Sequence, residues 1–263
     1  MNKLKRRFVL IILFIILIFP ISPSICLAQE QLAGVTILGA NINPPAGYGC
    51  MTGTYTLGWT GDWPSDTDRA CAGSGDETGV NGAITGSPDI GTDYGEGGSV
   101  GLKANAVNEY ITYVDSDYVS GNSAYTIWLR VYISAIPTGN TRLFTLYGDA
   151  TNYINAVFTN TGNVMATWRS GATTPTAYGT AVLSTGTWSN VGYTWDTPNQ
   201  DHAVDTNGSW DEDLNEITTT MSTDITNIYI GSESQFSMGG GEYFQVDKWA
   251  IVSGYKASRP AGW

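Results

Sequence analysis

The stretch Tyr125-Thr126-Ile127-Trp128-Leu129-Arg130-Val131-Tyr132-Ile133 decides the fold. Tyr125, Ile127, Leu129, Val131 and Ile133 occupy every second position, and Thr126, Trp128, Arg130 and Tyr132 fill the others. A period of two is that of a β-strand, with successive side chains leaving opposite faces. The first set is apolar throughout and belongs to a core. The second set must then point the other way. Thr187-Trp188-Ser189-Asn190-Val191-Gly192-Tyr193-Thr194-Trp195 reads in the same manner, with Val191, Tyr193 and Trp195 in the core and Gly192 and Thr194 opposite. Ile228 to Gly231 and Phe244 to Ile251 add two more strands, in which Trp249 and Ile251 are core residues, as is Trp168. No segment of a dozen residues shows a helical period. Turn residues recur at spacings of about 8–12 positions, the pattern of an all-β sandwich.

The N-terminus is different. Lys3, Lys5, Arg6 and Arg7 precede an uncharged apolar run from Phe8 to Phe19. Pro20 and Pro23 break the run, and Cys26-Leu27-Ala28 offers small residues for cleavage. This is the pattern of a secretory signal peptide over residues 1–28. A membrane anchor is the competing reading, but the run falls short of the roughly 20 residues a spanning helix needs. Lipid attachment at Cys26 is disfavoured by Ile25, where a small residue is expected. Cleavage after Ala28 leaves 235 of the 263 residues, enough for one domain over 29–263. Its first part, 29–100, is loop-rich, with Pro44-Pro45, many glycines and the Gly95-Glu96-Gly97-Gly98 turn.

The full chain carries 12 basic and 24 acidic residues. Losing the four basic residues of the leader leaves 8 against 24, a net charge of −16. Such a field repels nucleic acid and anionic membrane surfaces. It suits solubility, secretion or divalent-cation binding. Cys50 and Cys71 are the two cysteines left after cleavage, an even number in an exported chain. They are expected to form one disulfide closing a loop of about 20 residues, worth roughly 3 kcal/mol.

The order of several short motifs resembles the laminin-G-like, concanavalin-A-like jelly-roll family over about residues 55–257. Trp59-Thr60-Gly61-Asp62-Trp63 and Gly75-Asp76-Glu77-Thr78-Gly79-Val80-Asn81-Gly82 resemble its opening acidic strand and loop. Val100 to Ile111 resembles the strand pair before the core. Thr187-Trp188 with Val191 resembles its Trp strand, and Asp205-Thr206-Asn207-Gly208 the hairpin that follows. Val246-Asp247 resembles its last strand. One departure is Arg130, where relatives carry Trp.

The resemblance implies a two-sheet antiparallel jelly-roll sandwich whose second strand face lines a concave groove. Trp128, Arg130 and Tyr132 would form the ligand platform there, with Thr194 beside it and Gly192 leaving floor space. Rings stack on the apolar faces of sugars, and a guanidinium bonds hydroxyls or a carboxylate. A glycan, a loop from residues 60 to 95 or a neighbouring subunit would cover these rings, and Trp128→Ala would then weaken ligand binding or assembly and change stability by less than about 1 kcal/mol. A structural calcium is implied at Asp247 with Asp62, since calcium takes hard oxygen ligands.

The enzymes of this fold that cleave β-glucans need paired carboxylates. The nearest match is Asp211-Glu212-Asp213-Leu214-Asn215-Glu216, with Asp in place of the first Glu, read as a solvated loop after the hairpin turn. His202, the sole histidine, is read in the polar loop from Asn199, without a nucleophile elbow near any serine. The leading reading is therefore a secreted or surface-located, non-catalytic module that binds glycan or polysaccharide. The second is a structural or adhesive subunit whose faces contact protein or another copy of itself. A polysaccharide-cleaving enzyme comes third.

Overall fold

The computed structural model describes residues 55–59, 69–70, 80–115, 118–260 and 263. The expected leader 1–28, Asp62, Cys50 and Cys71 lie outside these residues. Sixteen strands are described: Leu57–Trp59 (β1), Arg69–Ala70 (β2), Val80–Thr85 (β3), Asp89–Gly91 (β4), Gly101–Ala104 (β5), Glu109–Val114 (β6), Ala124–Ile133 (β7), Thr141–Asp149 (β8), Asn152–Phe158 (β9), Asn163–Ser170 (β10), Thr176–Val182 (β11), Trp188–Asp196 (β12), Asp201–Thr206 (β13), Ser209–Asp213 (β14), Asn227–Ser232 (β15) and Phe244–Ser253 (β16). One short 3-10 turn, Glu96–Gly98, interrupts them. Among the described residues, no helix is long and apolar enough to cross a membrane.

The strands form two antiparallel sheets. The front sheet runs β14-β13-β12-β7-β16-β5-β4, with β1 also paired to β16. The back sheet runs β11-β10-β9-β8-β15-β6-β3-β2. The chain changes sheet eight times among the described strands, after β1, β3, β5, β6, β7, β11, β14 and β15, a jelly-roll-like path. As β7 predicts, Ile127, Leu129, Val131 and Ile133 are buried in the core with Val191, Tyr193, Trp195, Trp249 and Ile251. Leu146, Ile154, Phe158, Trp168, Ile228 and Ile230 come from the back sheet. Burying each such side chain contributes on the order of 2 kcal/mol.

Buried indoles need partners for their N–H. Trp195 donates to Ser120 O at 3.2 Å, and Trp168 to Gly121 O at 3.2 Å. Thr197 Oγ1 donates to Gly121 O at 2.7 Å. Front and back sheets thus grip the same two carbonyls of the crossover into β7. Asp224 holds that crossover from the other side, accepting from Gly121 N at 2.8 Å and Ser120 Oγ at 2.6 Å.

Two sequence expectations change here. Asp211 to Asp213 lie in the edge strand β14 and not in a loop. The cause is the two-residue connection Asn207-Gly208, with both φ positive (54° and 95°), the geometry that folds two strands back on each other. It locks Asp205 opposite Trp210 and Val204 opposite Asp211. His202 likewise lies inside β13, because Gln200 at φ 68° turns the chain back so that Asp201 pairs with Asp196. His202 is fully buried, its Nδ1 3.1 Å from the hydroxyl of Tyr193 and its Nε2 without a hydrogen-bond partner.

Burial pushes the His202 imidazole down to about 4, against the opposing pull of Asp213 and Asp201. The unfolded chain, with an ordinary imidazole near 6.5, then holds this proton more tightly. Stability contributed by the neutral ring is complete above about pH 6.5 and drains away as pH falls to about 4, by about 3 kcal/mol. Urea denaturation from pH 7 to 4.5 is expected to show a steeper loss for the natural chain than for His202→Gln. Parallel curves for the two proteins would refute the assignment.

Candidate functional site

The outer face of the front sheet carries the side chains that β7 sends away from the core. Strand register sorts them into rows. Ala250, Trp128, Gly192, Asp205 and Trp210 are direct cross-strand partners from β16 to β14. Trp128 and Trp210 meet edge-on with centroids 5.3 Å apart. This row is not an open platform, because the tail from Gly254 onward lies across it.

Trp128 is only 4% exposed, and its Nε1 donates to Ala257 O at 2.9 Å. The Arg259 guanidinium sits 5.4 Å over the same ring, and Trp263 packs against the cluster and donates to Asn190 Oδ1 at 2.9 Å. Thr194 is fully buried beneath the tail, accepting from Lys256 N and donating to Tyr125 O. The expected platform is thus corrected at two residues. Trp128 and Thr194 do leave the non-core face, but the protein's own tail occupies the place kept for a ligand. The floor space at Gly192 is filled as well, by the Trp128 ring. Asp205, also buried here, has its carboxyl raised by that burial, against the Gly208 N–H and Arg259.

Arg130 is corrected too: its guanidinium is not free. It makes a forked pair with Glu96, with Nε donating at 2.8 Å to one oxygen and an Nη donating to the other. That pairing holds the Glu96 carboxyl below its usual range. Asp247 fixes the same turn. Its Oδ1 accepts from Glu96 N at 3.1 Å and from Ser99 Oγ, and Lys248 lies 3.5 Å from Oδ2. The extra residue that places Asp247 is a bulge between Val246 and Lys248. The carboxylate expected to ligate calcium is therefore already the anchor of the 95–99 turn. Among the described residues no three metal-ligating side chains gather.

Beyond the tail, a second row is half-buried, with Gln245 buried at its centre. Asp89, Lys103, Gln245, Tyr132 and Trp188 are successive cross-strand partners on β4, β5, β16, β7 and β12. Five strands at the usual spacing make a row about 19 Å long. Tyr132 packs on Trp188 at 5.7 Å and lies nearly parallel to Tyr243 at 6.1 Å. Lys103 sits 4.5 Å over the Tyr243 ring and pairs with Asp89 at 3.4 Å. Between them, Gln245 is buried, at 8% exposure. Of the predicted site residues, only Tyr132 belongs to this row. Lys103, Gln245 and Tyr243 were missed. The alternation Leu102-Lys103-Ala104 and Phe244-Gln245-Val246 could have found the first two. Trp188 was noted only as a family mark.

The acidic segment offers no comparable arrangement. Asp211 accepts from Thr180 N and Oγ1, both at 2.8 Å, while Glu212 leaves the opposite face and pairs with Lys256.

No protein-family model matches the chain, and no curated protein matches it. Solved structures do. The botulinum neurotoxin serotype D ligand-binding domain, described in complex with N-acetylneuraminic acid, superposes with a TM-score of 0.56 at 11% identity, over 69% of this chain and 44% of that one. The binding domain of Paraclostridial Mosquitocidal Protein 1 gives 0.59 at 13% identity, over 78% and 50%. A botulinum neurotoxin type C structure, whose cell entry depends on two ganglioside molecules, gives 0.56 at 9%, over 69% and 45%. The chain spans half or less of each. The likeness is one of fold: an all-β, two-sheet antiparallel sandwich of jelly-roll-like build.

The covered row generates a paired prediction. A Cβ on Gly192 would lie 2.6 Å from Trp128 Cζ3 and 3.0 Å from Asp205 Cβ. The ring is pinned by the tail, so Gly192→Ala should cost about 1–3 kcal/mol. Trp128→Ala should cost about 3–5 kcal/mol, the range for emptying a buried indole site. Chemical denaturation measures both, and a loss below 1 kcal/mol for Trp128→Ala would mean the tail does not cover it in solution.

Proposed function

We propose that the chain is a non-catalytic carbohydrate-binding module that holds a glycan along the second row of the front sheet. The observation that carries this reading is the register itself. Lys103, Gln245, Tyr132 and Trp188 stand side by side on four adjacent strands, with Tyr243 against Tyr132. Aromatic rings supply apolar contact for sugar faces. The Gln245 amide offers both a donor and an acceptor, which is what a hydroxyl needs. Binding sites combine apolar and aromatic contact with a few placed polar groups, and Trp188, Tyr132 and Tyr243 beside Gln245 supply both kinds. The sandwich fold supports the same reading, as do the structural neighbour described in complex with N-acetylneuraminic acid and the one whose cell entry depends on gangliosides. So does the resemblance to laminin-G-like and concanavalin-A-like domains. Export through the segment 1–28 and a Cys50–Cys71 bridge belong to this reading as well.

A second reading has its own observation. On the outer face of the back sheet, Tyr229 meets Tyr110 edge-on at 5.4 Å and Tyr147 at 5.9 Å. Tyr153, opposite Tyr147, lies under Arg169. Tyrosine and arginine are enriched where proteins meet. A structural or adhesive subunit would use this face, and a concentration-dependent mass in solution would support it.

A glycan array tests the first reading. Binding is expected, and Trp188→Ala should weaken it by about thirtyfold, the scale of a 2 kcal/mol hot spot. Trp188 lies at the surface end of its strand, so the variant should keep its fold. Binding unaffected by Trp188→Ala would move the site elsewhere.

A further inference from the structure

Resting on the carbohydrate-binding reading, we infer that the second row selects neutral glycans and rejects those bearing carboxylate or sulfate. The argument begins with the cations of the front face. Lys103 is held by Asp89, Arg130 by Glu96, Lys248 by Asp247 and Lys256 by Glu212. Each of these four cations has its own carboxylate. Arg259, the fifth, is exposed and stacks over Trp128, in the row the tail covers. In the row of Lys103, Gln245, Tyr132 and Trp188, Lys103 is the cation described, and it already has its carboxylate. Anion recognition by lysine or arginine depends on direct, charge-assisted hydrogen bonds, and here those donors are already engaged.

The surroundings work in the same direction. The whole chain carries a net charge of −12, so an anionic ligand approaches against the field. A sialylated or sulfated chain along the row would set its charge beside Asp89 and Glu96, and like charges brought together at an interface are penalised. The groups the row does offer are neutral: the rings of Trp188, Tyr132 and Tyr243 and the amide of Gln245. They can stack on pyranose faces and bond hydroxyls without any charge on the ligand. Lys103 adds to this by its place over the Tyr243 ring, which holds the ring and leaves its cation shared between Tyr243 and Asp89. The serotype D neurotoxin domain described with N-acetylneuraminic acid holds an acidic sugar. The row of Lys103, Gln245, Tyr132 and Trp188 lacks the spare cation such a ligand would call for.

The test is an array that prints neutral oligosaccharides beside their sialylated, sulfated and uronate-bearing counterparts, probed with the full natural chain. Neutral members should bind, and each acidic counterpart should bind at least about tenfold more weakly. Binding to the neutral members should hold steady as salt rises from about 50 to 500 mM, since no ion pair is being screened. Asp89→Asn, which releases Lys103, should raise the acidic counterparts relative to the neutral members several-fold. Binding that prefers the acidic members, is lost in Trp188→Ala and falls with salt would overturn the inference while leaving the carbohydrate site in place. If no glycan binds in a manner sensitive to Trp188→Ala, the site reading falls and the inference with it.

Discussion

The register of β7 between β12 and β16 is the constraint on which the other features rest. β7 is paired along its whole length on both sides, so none of its residues can shift alone. A slip by one position would send Ile127, Leu129 and Val131 to the outer face and Trp128 and Arg130 into the core. The apolar face forbids it. The same register then sets the outer face without further choice. Trp128 stands beside Gly192 because only glycine leaves room for its ring there. Tyr132 falls between Gln245 and Trp188, and that adjacency makes the second row. Core and candidate site are two sides of one pairing decision.

Much of this was legible in the residues. Alternation in Tyr125 to Ile133 and in Val191 to Trp195 named the core faces correctly, since burying apolar side chains dominates folding. Asn207-Gly208 named its hairpin, because few other pairs accept two positive φ angles. What alternation cannot report is coverage. It says that Trp128 leaves the core face, but whether water, a ligand or another part of the chain meets it there depends on a tail more than a hundred residues away. The tail holds its place through single contacts from Lys256, Ala257 and Trp263, and contacts of that kind leave no period in the sequence. The same limit applies to Arg130 and Glu96, 34 positions apart. The β14 segment was misread for a different reason: Asp-Glu-Asp has weak strand preference, and the turn before it outweighed that preference.

The electrostatics of the face separate two ideas that fold likeness would merge. A sandwich shared with sugar-bound domains suggests a common use, but recognition is decided by the groups on the surface. Here the cations of the front sheet serve the protein. They tie the 95–99 turn and the tail to the sheet, through Arg130, Lys248 and Lys256. Each such pair, partly exposed to water, contributes less than about 1 kcal/mol, so their effect lies in placing the turn and the tail. Aromatic and amide groups are what remains for a partner.

The position of β16 has a consequence for the order of assembly. It is the last of the described strands, yet it lies inside the front sheet, with β7 on one side and β5 and β1 on the other. Until residue 253 has been made, β5 and β7 have nothing between them, and one wall of the core is missing. Contacts this distant in sequence form slowly. A chain made only as far as β15 lacks the strand that joins β5 to β7, and its front sheet stays in two pieces.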